Sequence, residues 1–196
     1  HGNLSPAYNP SACAVEVEVD PDTGQVKITG FWGADDSGFP INPLAVKGQV
    51  IGATVMSFGH ALYETLIRID GKVMNPSFRD YKMPLMTDIP KLADFQHNNV
   101  ITFEPEGPFG AKEVGQGPLL PMPPACANAI YDAVGVRVDQ IPIHPHLVLK
   151  ALDAKRARRI GLVDQAVPLR ILENTARIVT LEAKPRKPLP LLQQFF

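Results

Sequence analysis

The chain has 196 residues, 45% of them apolar, with 19 Lys and Arg against 20 Asp and Glu. That length suits one good core or two small ones, and so even a charge balance leaves no basic footprint for nucleic acid. No apolar run is long enough to span a membrane.

Proline is the anomaly, with 20 residues, about twice the ordinary share. They sit at junctions (Pro40, Pro43, Pro84, Pro90, Pro105, Pro108, Pro118) and in the tail, which suits a loop-rich chain of helices and strands. Cys13 and Cys126 lack CxxC spacing and cannot alone hold an iron–sulfur cluster or a structural zinc. They read as small buried residues in a reducing, cytoplasmic compartment. The first residue is His1, so processing, trimming and a longer parent chain all stay open.

Val15, Val17 and Val19 alternate with Glu16 and Glu18, the period of a half-buried strand. Asp20-Pro-Asp-Thr-Gly24 reads as a turn, and Gln25–Trp32 as the returning strand of a hairpin. A break at 33–38 follows, with Asp35-Asp36 as turn acids or, less simply, a cation site. From Gly48 to about Leu66, Val55, Phe58, Leu62 and Leu66 fall at helical spacing. Gly52, Ala53, Ser57, Gly59 and Ala61 thin that helix and let another backbone or a ligand come close. Ile69-Asp-Gly-Lys-Val73 carries the Asp-Gly pair of a two-residue hairpin turn. Residues 75–97 read as irregular and Asn99–Glu104 as a strand.

The stretch Gly107–Gly117, GPFGAKEVGQG, packs four glycines and a proline into eleven residues. It cannot be a helix or strand interior, but it lets backbone N–H groups approach something bulky and anionic. Lys112 adds a charge; Glu113 and Gln116 add polar groups that can be aimed. The competing reading is an ordinary surface loop. A helix over Ala125–Val134, ended by Gly135, gives the loop a rigid support. Ile141–Pro145 reads as extended, with a helix starting near His146. The basic cluster from Lys150 to Arg159 reads as a solvated helical face, and Leu169–Leu181 as an amphipathic helix. His144-Pro-His146 is the closest histidine pair and a weak candidate for a shared metal. HExxH, Walker and GxSxG motifs are absent. What remains, the glycine loop, the thin helix and Gln49, suits a cleft for a large anionic cofactor better than a catalytic dyad.

GPFGAKEVGQGPLLPMPPACANAIYDAVGVRV and IPIHPHLVLKAL resemble the C-terminal part of the molybdopterin-binding subunit of the xanthine dehydrogenase/aldehyde oxidase family. SPAY near the start, VEVEVDPDTGQVK, Asp36–Gly38, INP at Ile41–Pro43, GQV at Gly48–Val50 and NPSFRDYKMP agree in order, so the likeness covers about residues 3–152. The GPFGAKE form and the SPAY start look most like the 4-hydroxybenzoyl-CoA reductase branch. The resemblance implies an α+β fold with a mixed sheet and packed helices. It also implies molybdenum on a pterin, in bacteria usually the cytosine dinucleotide, with partner subunits carrying [2Fe–2S] clusters and often FAD. By the same resemblance, Gln49 falls where a glutamine hydrogen-bonds the pterin. Gly110, Ala111, Lys112 and Gly115 lie in the loop that approaches the cofactor.

Where the family's hydroxylases carry the glutamate that acts as base at the metal, this chain has Gln116. A carboxamide orients and donates but does not accept a proton at neutral pH. Rescue by Glu113 is the minor alternative. Ile51 and Met56-Ser57 also depart from the family's usual Glu and Gln-Gly. The resemblance further implies a pocket shared with a longer preceding segment, so a natural split half and a fragment both stay open.

Residues 152 to about 192, LDAKRARRIGLVDQAVPLRILENTARIVTLEAKPRKPLPLL, resemble part of the enoyl-CoA hydratase portion of the fatty-acid oxidation multienzyme. They lack its oxyanion-hole loop and acid pair. The expected division is therefore 1–150, part of a molybdopterin-binding domain, and 151–196, a helical extension. The expected function is a subunit of a molybdenum-dependent oxidoreductase for an aromatic or acyl-CoA-like substrate, active only with partners. A non-catalytic assembly subunit and a CoA-binding hydratase-related fragment are the alternatives.

Overall fold

The computed structural model describes residues 7–159. The Ser5-Pro6 start, the apolar piece from Ile160, the helix expected at 169–181 and most of the hydratase-like segment lie outside the described residues.

Strands β1 (Ser11–Val19) and β2 (Val26–Asp35) form the expected antiparallel hairpin. In β1 the odd residues turn inward and Glu16 and Glu18 face solvent. The turn is held by Asp20, whose carboxylate accepts from the Asp22 and Thr23 N–H groups and the Thr23 hydroxyl. The register slips by one at Glu16/Val17, leaving Thr29 as the extra residue of a bulge. Because side chains alternate with a period of two, one extra residue reverses the phase of the strand. Val26 and Ile28 are buried before the bulge; Phe31 and Asp35 are buried after it. The bulge is what turns Asp35 inward.

Helix α1 (Pro43–Leu62) starts earlier than expected and stops short of Leu66. Asn42 caps it by accepting the Ala45 N–H at 3.1 Å, and Pro43 occupies a first-turn position that needs no N–H. Its end turns at Gly59, whose carbonyl accepts from both Tyr63 and Glu64. Strands β3 (Arg68–Ile69) and β4 (Lys72–Val73) confirm the Asp-Gly hairpin, with φ of 49° at Asp70 and 79° at Gly71.

The third strand of the main sheet, β5 (Phe95–Asn99), runs parallel to β2 over Phe31–Asp35. The strand expected at Asn99–Glu104 is therefore displaced to the preceding residues. β5 ends opposite Asp35, where β2 itself ends, and Val100, Ile101 and Phe103 stay exposed.

Helix α2 (Met122–Val134) begins three residues before the expected start, with Pro123 and Pro124 in its first turn, and ends at Gly135 in the left-handed region. Helix α3 (Pro145–Arg159) runs unbroken through residue 150. Lys155 and Arg156 do more than face solvent. The Lys155 ammonium caps the Val134 carbonyl at 2.8 Å, and Arg156 reaches the Pro21 carbonyl at 3.5 Å.

One face of the sheet carries the core. Ile28 and Phe31 from β2 meet Phe58 and Leu62 from α1, Met122, Cys126 and Ile130 from α2, and Val148 and Leu152 from α3. Phe31, Phe58 and Phe95 form an aromatic cluster with centroids 4.7–6.3 Å apart. Each fully buried side chain of this size contributes about 1.5–3 kcal/mol. The result is an α+β unit with a mixed sheet and packed helices.

Candidate functional site

Ala45, Gly48, Gln49, Gly52 and Met56 are exposed and follow one another along one face of α1. A Cβ added at Gly48 or Gly52 would meet nothing within 4 Å. The opposite face, with Val50, Ala53, Thr54 and Ser57, is buried. Ser57 donates to the Leu119 carbonyl at 2.7 Å, which seats the segment just past the glycine loop against the helix. The thin helix thus admits the chain's own backbone on one side and stays open on the other.

The glycine loop lies beside that open face. Gly115 has φ 131°, a conformation that other residues rarely adopt, and a Cβ there would lie 3.4 Å from the Gln49 Oε1. The two residues assigned to the cofactor from separate parts of the sequence are therefore neighbours. Gln116 is exposed, and its N–H donates to the Glu113 carboxylate at 2.8 Å. Asn9 Nδ2 donates to the Glu113 carbonyl at 2.5 Å and reaches its other carboxylate oxygen at 3.4 Å. Glu113 is thus occupied in holding the turn, which weakens its reading as a substitute base.

Gly110, Ala111 and Lys112 lie at the other end of the loop. Gly110 is buried, and its carbonyl accepts from Phe39 at 2.8 Å and Glu104 at 3.1 Å. Ala111 forms a β-bridge with Gly38, packed so closely that a Cβ on Gly38 would lie 2.5 Å from the Gly110 carbonyl oxygen. Lys112 donates to Asp36 at 2.7 Å. Asp36 also accepts from Gly38 N–H and the Thr102 hydroxyl. Burial pushes its pKa up, but the bonds from Lys112, Thr102 and Gly38 outweigh burial and hold it below the usual carboxylate range. Asp36 is a turn acid with a second task, and its neighbour Asp35 is buried against His97.

The His144 and His146 rings stack 5.7 Å apart, and His144 bonds the Thr65 hydroxyl at 2.8 Å. Among the described residues no group of three or more His, Cys, Asp or Glu could hold a metal. Cys126 is buried, and burial, with a smaller contribution from Cys13, pushes its thiol up to about 12. It is a packing residue rather than a nucleophile.

Of the residues singled out in the sequence, Gln49 and Gly115 are neighbours, and Gln116 follows next in the loop. The sequence does not reveal Asn9 or the Asp36 brace, whose contacts join segments far apart in the chain, nor the local bond from Gln116 N–H to Glu113. An open helix face carrying Ala45, Gly48 and Gly52 thus lies beside the positive-φ apex at Gly115. Gln49, Gln116 and the loop backbone can donate to and orient a hydrogen-bonding group, but none can take a proton from it.

Residues 1–90 match the molybdopterin cofactor-binding domain family. The chain is 39% identical over 137 residues to the 6-hydroxypseudooxynicotine dehydrogenase complex subunit gamma of Paenarthrobacter nicotinovorans, covering 68% of this chain and 17% of that protein. It is 34% identical over 133 residues to the carbon monoxide dehydrogenase large chain of Afipia carboxidovorans, covering 67% of this chain and 16% of that one. The aldehyde oxidoreductase structure from Desulfovibrio gigas matches with a TM-score of 0.69 at 33% identity, over 76% of this chain and 16% of that one. The chain thus spans less than a fifth of these relatives. Over the matched part the chain is similar to the molybdopterin cofactor-binding domain and to these molybdenum-enzyme relatives.

Proposed function

We propose that the chain forms part of the cofactor pocket of a molybdenum-dependent oxidoreductase, with Gln49, Gly115 and Gln116 on the pocket side and Gly110 and Ala111 in the loop that carries Gly115 and Gln116. The observation that carries this reading is the approach of Gln49 to Gly115 beside an open stripe of small residues. Bound there, a molybdopterin, in this reading the cytosine dinucleotide, would supply two-electron redox chemistry that no side chain of the chain offers. Gln49 would orient it through its carboxamide, the glycine loop would give it close backbone contact, and Gln116 would face its reacting side. Because Gln116 donates but does not accept a proton at neutral pH, the chain would position a substrate without activating it as a base.

The substrate in this reading is aromatic or acyl-CoA-like, as in the 4-hydroxybenzoyl-CoA reductase type. The two relatives described above are named for 6-hydroxypseudooxynicotine and for carbon monoxide. Partners would complete the pocket and carry the [2Fe–2S] and FAD modules, in the cytoplasm. Support for partners comes from the exposed apolar side chains between Leu66 and Phe109, including Phe78 (77% exposed), Met86 (84%), Phe103 (71%) and Phe109 (82%). A soluble monomer rarely leaves so many uncovered. Residues 151–196 stand in the proposal as a helical extension with a hydratase-like segment.

One observation favours a second reading, a non-catalytic assembly subunit. The Glu113 carboxylate is tied to the Gln116 N–H, and in this reading Gln116 would stand where the base is expected. The test is molybdenum and released cytidine nucleotide per chain, on the complex purified with the partners that accompany it. About one of each supports the cofactor subunit, whereas neither, in a folded complex, supports the assembly role.

A further inference from the structure

Lys112 carries the positive charge of the glycine loop, and an anionic cofactor is its obvious partner. The structure spends that charge elsewhere. Its Nζ lies 2.7 Å from Asp36 Oδ2, and the two side chains are only 11% and 13% exposed. The other carboxylate oxygen of Asp36 is also filled, by the Thr102 hydroxyl at 2.7 Å and the Gly38 N–H at 3.0 Å. An ammonium moved from this pair to a phosphate would leave a largely buried carboxylate short of its strongest partner.

The backbone around the pair is stitched in the same sense. Lys112 N–H donates to the Ser37 carbonyl at 2.8 Å, Phe39 N–H donates to Gly110, and Gly38 bridges Ala111. Beyond Lys112, the Glu113 carboxylate holds the Gln116 N–H. Gly115, with its φ of 131°, is the point between these two anchors. A loop fixed at both ends by its own chain keeps an unusual apex without help from a ligand.

We propose that Asp36 and Lys112 are a positioning pair, in which Lys112 fixes the glycine loop to the 36–39 turn and does not neutralise a cofactor anion. The loop is thus set in its binding form by this chain alone. The inference rests on the cofactor reading for its purpose, but its physical content can be tested without the cofactor.

The experiment compares Asp36→Asn, Lys112→Met, the double variant and Lys112→Arg in the full chain with its co-purifying partners. The first readout is amide hydrogen exchange across residues 110–116. Each single change is expected to speed exchange there about tenfold or more, with the double variant no faster and Lys112→Arg near the parent. The second readout is molybdenum and cytidine nucleotide retained per chain, expected to fall in parallel in both single variants. If Asp36→Asn leaves exchange and retention at parent values while Lys112→Met loses cofactor, Lys112 is an anion ligand and the proposal fails. If even the parent holds no molybdenum, the cofactor reading fails, and the exchange pattern still decides the pair. Lys112→Arg guards against a general folding defect, since it keeps the charge and changes the shape.

Discussion

Gln116 is the residue on which chemistry and position come apart most clearly. Its backbone is fixed by Glu113, so a change of side chain should leave the loop path intact. On the proposed function, Gln116→Glu would add a proton acceptor in near-isosteric form where that reading lacks a base. In the loaded complex kcat near neutral pH is expected to rise by about 10²–10⁴-fold. An unchanged rate at unchanged molybdenum content would count against placing Gln116 at the reacting side. His144 supports a different prediction, about acid stability. Burial, and then the neighbouring His146, lower its pKa from the ordinary 6.5. A depressed histidine takes its proton more readily in the unfolded chain, so it favours folding where it is neutral. That contribution is whole above pH 6.5 and is lost as pH falls through the lowered folded-state value. Urea midpoints should therefore decline below pH 6.5, and His144→Gln should flatten the slope there while keeping a polar partner for Thr65. An equally steep slope in the variant would assign the loss to other groups.

At the level of elements, the chain after α1 shows how a segment without regular structure is held. Asn75, 5% exposed, accepts the Ile67 N–H at 2.9 Å and donates to the Thr65 carbonyl at 2.6 Å, closing the β3–β4 hairpin against the helix end. Tyr81 adds a bond to Glu64 at 2.5 Å. Asn75→Ala would strand two backbone groups and is expected to cost about 1–3 kcal/mol, read as a drop in urea midpoint at constant slope. A shift within error would show that water replaces the carboxamide freely. The same region marks where the sequence was legible and where it was not. The β1–β2 hairpin, the Asp-Gly turn and the Gly135 stop are written in neighbouring residues, and each forms as the local sequence predicts. β5 is not so written, because Phe-Gln-His-Asn-Asn has weak strand propensity and pairs only through β2, about sixty residues earlier in the chain. Val100–Phe103 has the propensity and, among the described residues, no partner strand, so local preference points one element too late. The bulge at Thr29 was hidden for a related reason, since alternation on both sides of it looks normal until β1 supplies the register. At the site, glycine content and Gln49 were visible as residue types. Their approach through Gly115, and the braces from Asn9 and Asp36, exist only in the folded chain.

The whole molecule exposes more apolar surface than its core conceals the need for. The main sheet has three strands, and neither β1 nor β5 has a neighbour on its outer side among the described residues. Beyond β5, Ile101, Phe103 and Phe109 stay exposed, and Phe78, Leu85 and Met86 are uncovered in the segment before it. On the proposed function, this sheet edge and these exposed side chains are where a partner would pack. Binding of a partner to the folded chain alone raises stability by mass action. The chain expressed by itself is therefore expected to bind a hydrophobic dye and to self-associate at micromolar concentration. Co-expressed with the polypeptide that completes the pocket, it should lose most of the dye signal and melt several degrees higher. Two charges on the exposed apolar segment, Phe103→Asp with Phe109→Asp, should lower self-association of the lone chain and also weaken capture of the partner. A lone chain that stays monomeric, binds no dye and melts as it does in the complex would place the completing surface elsewhere.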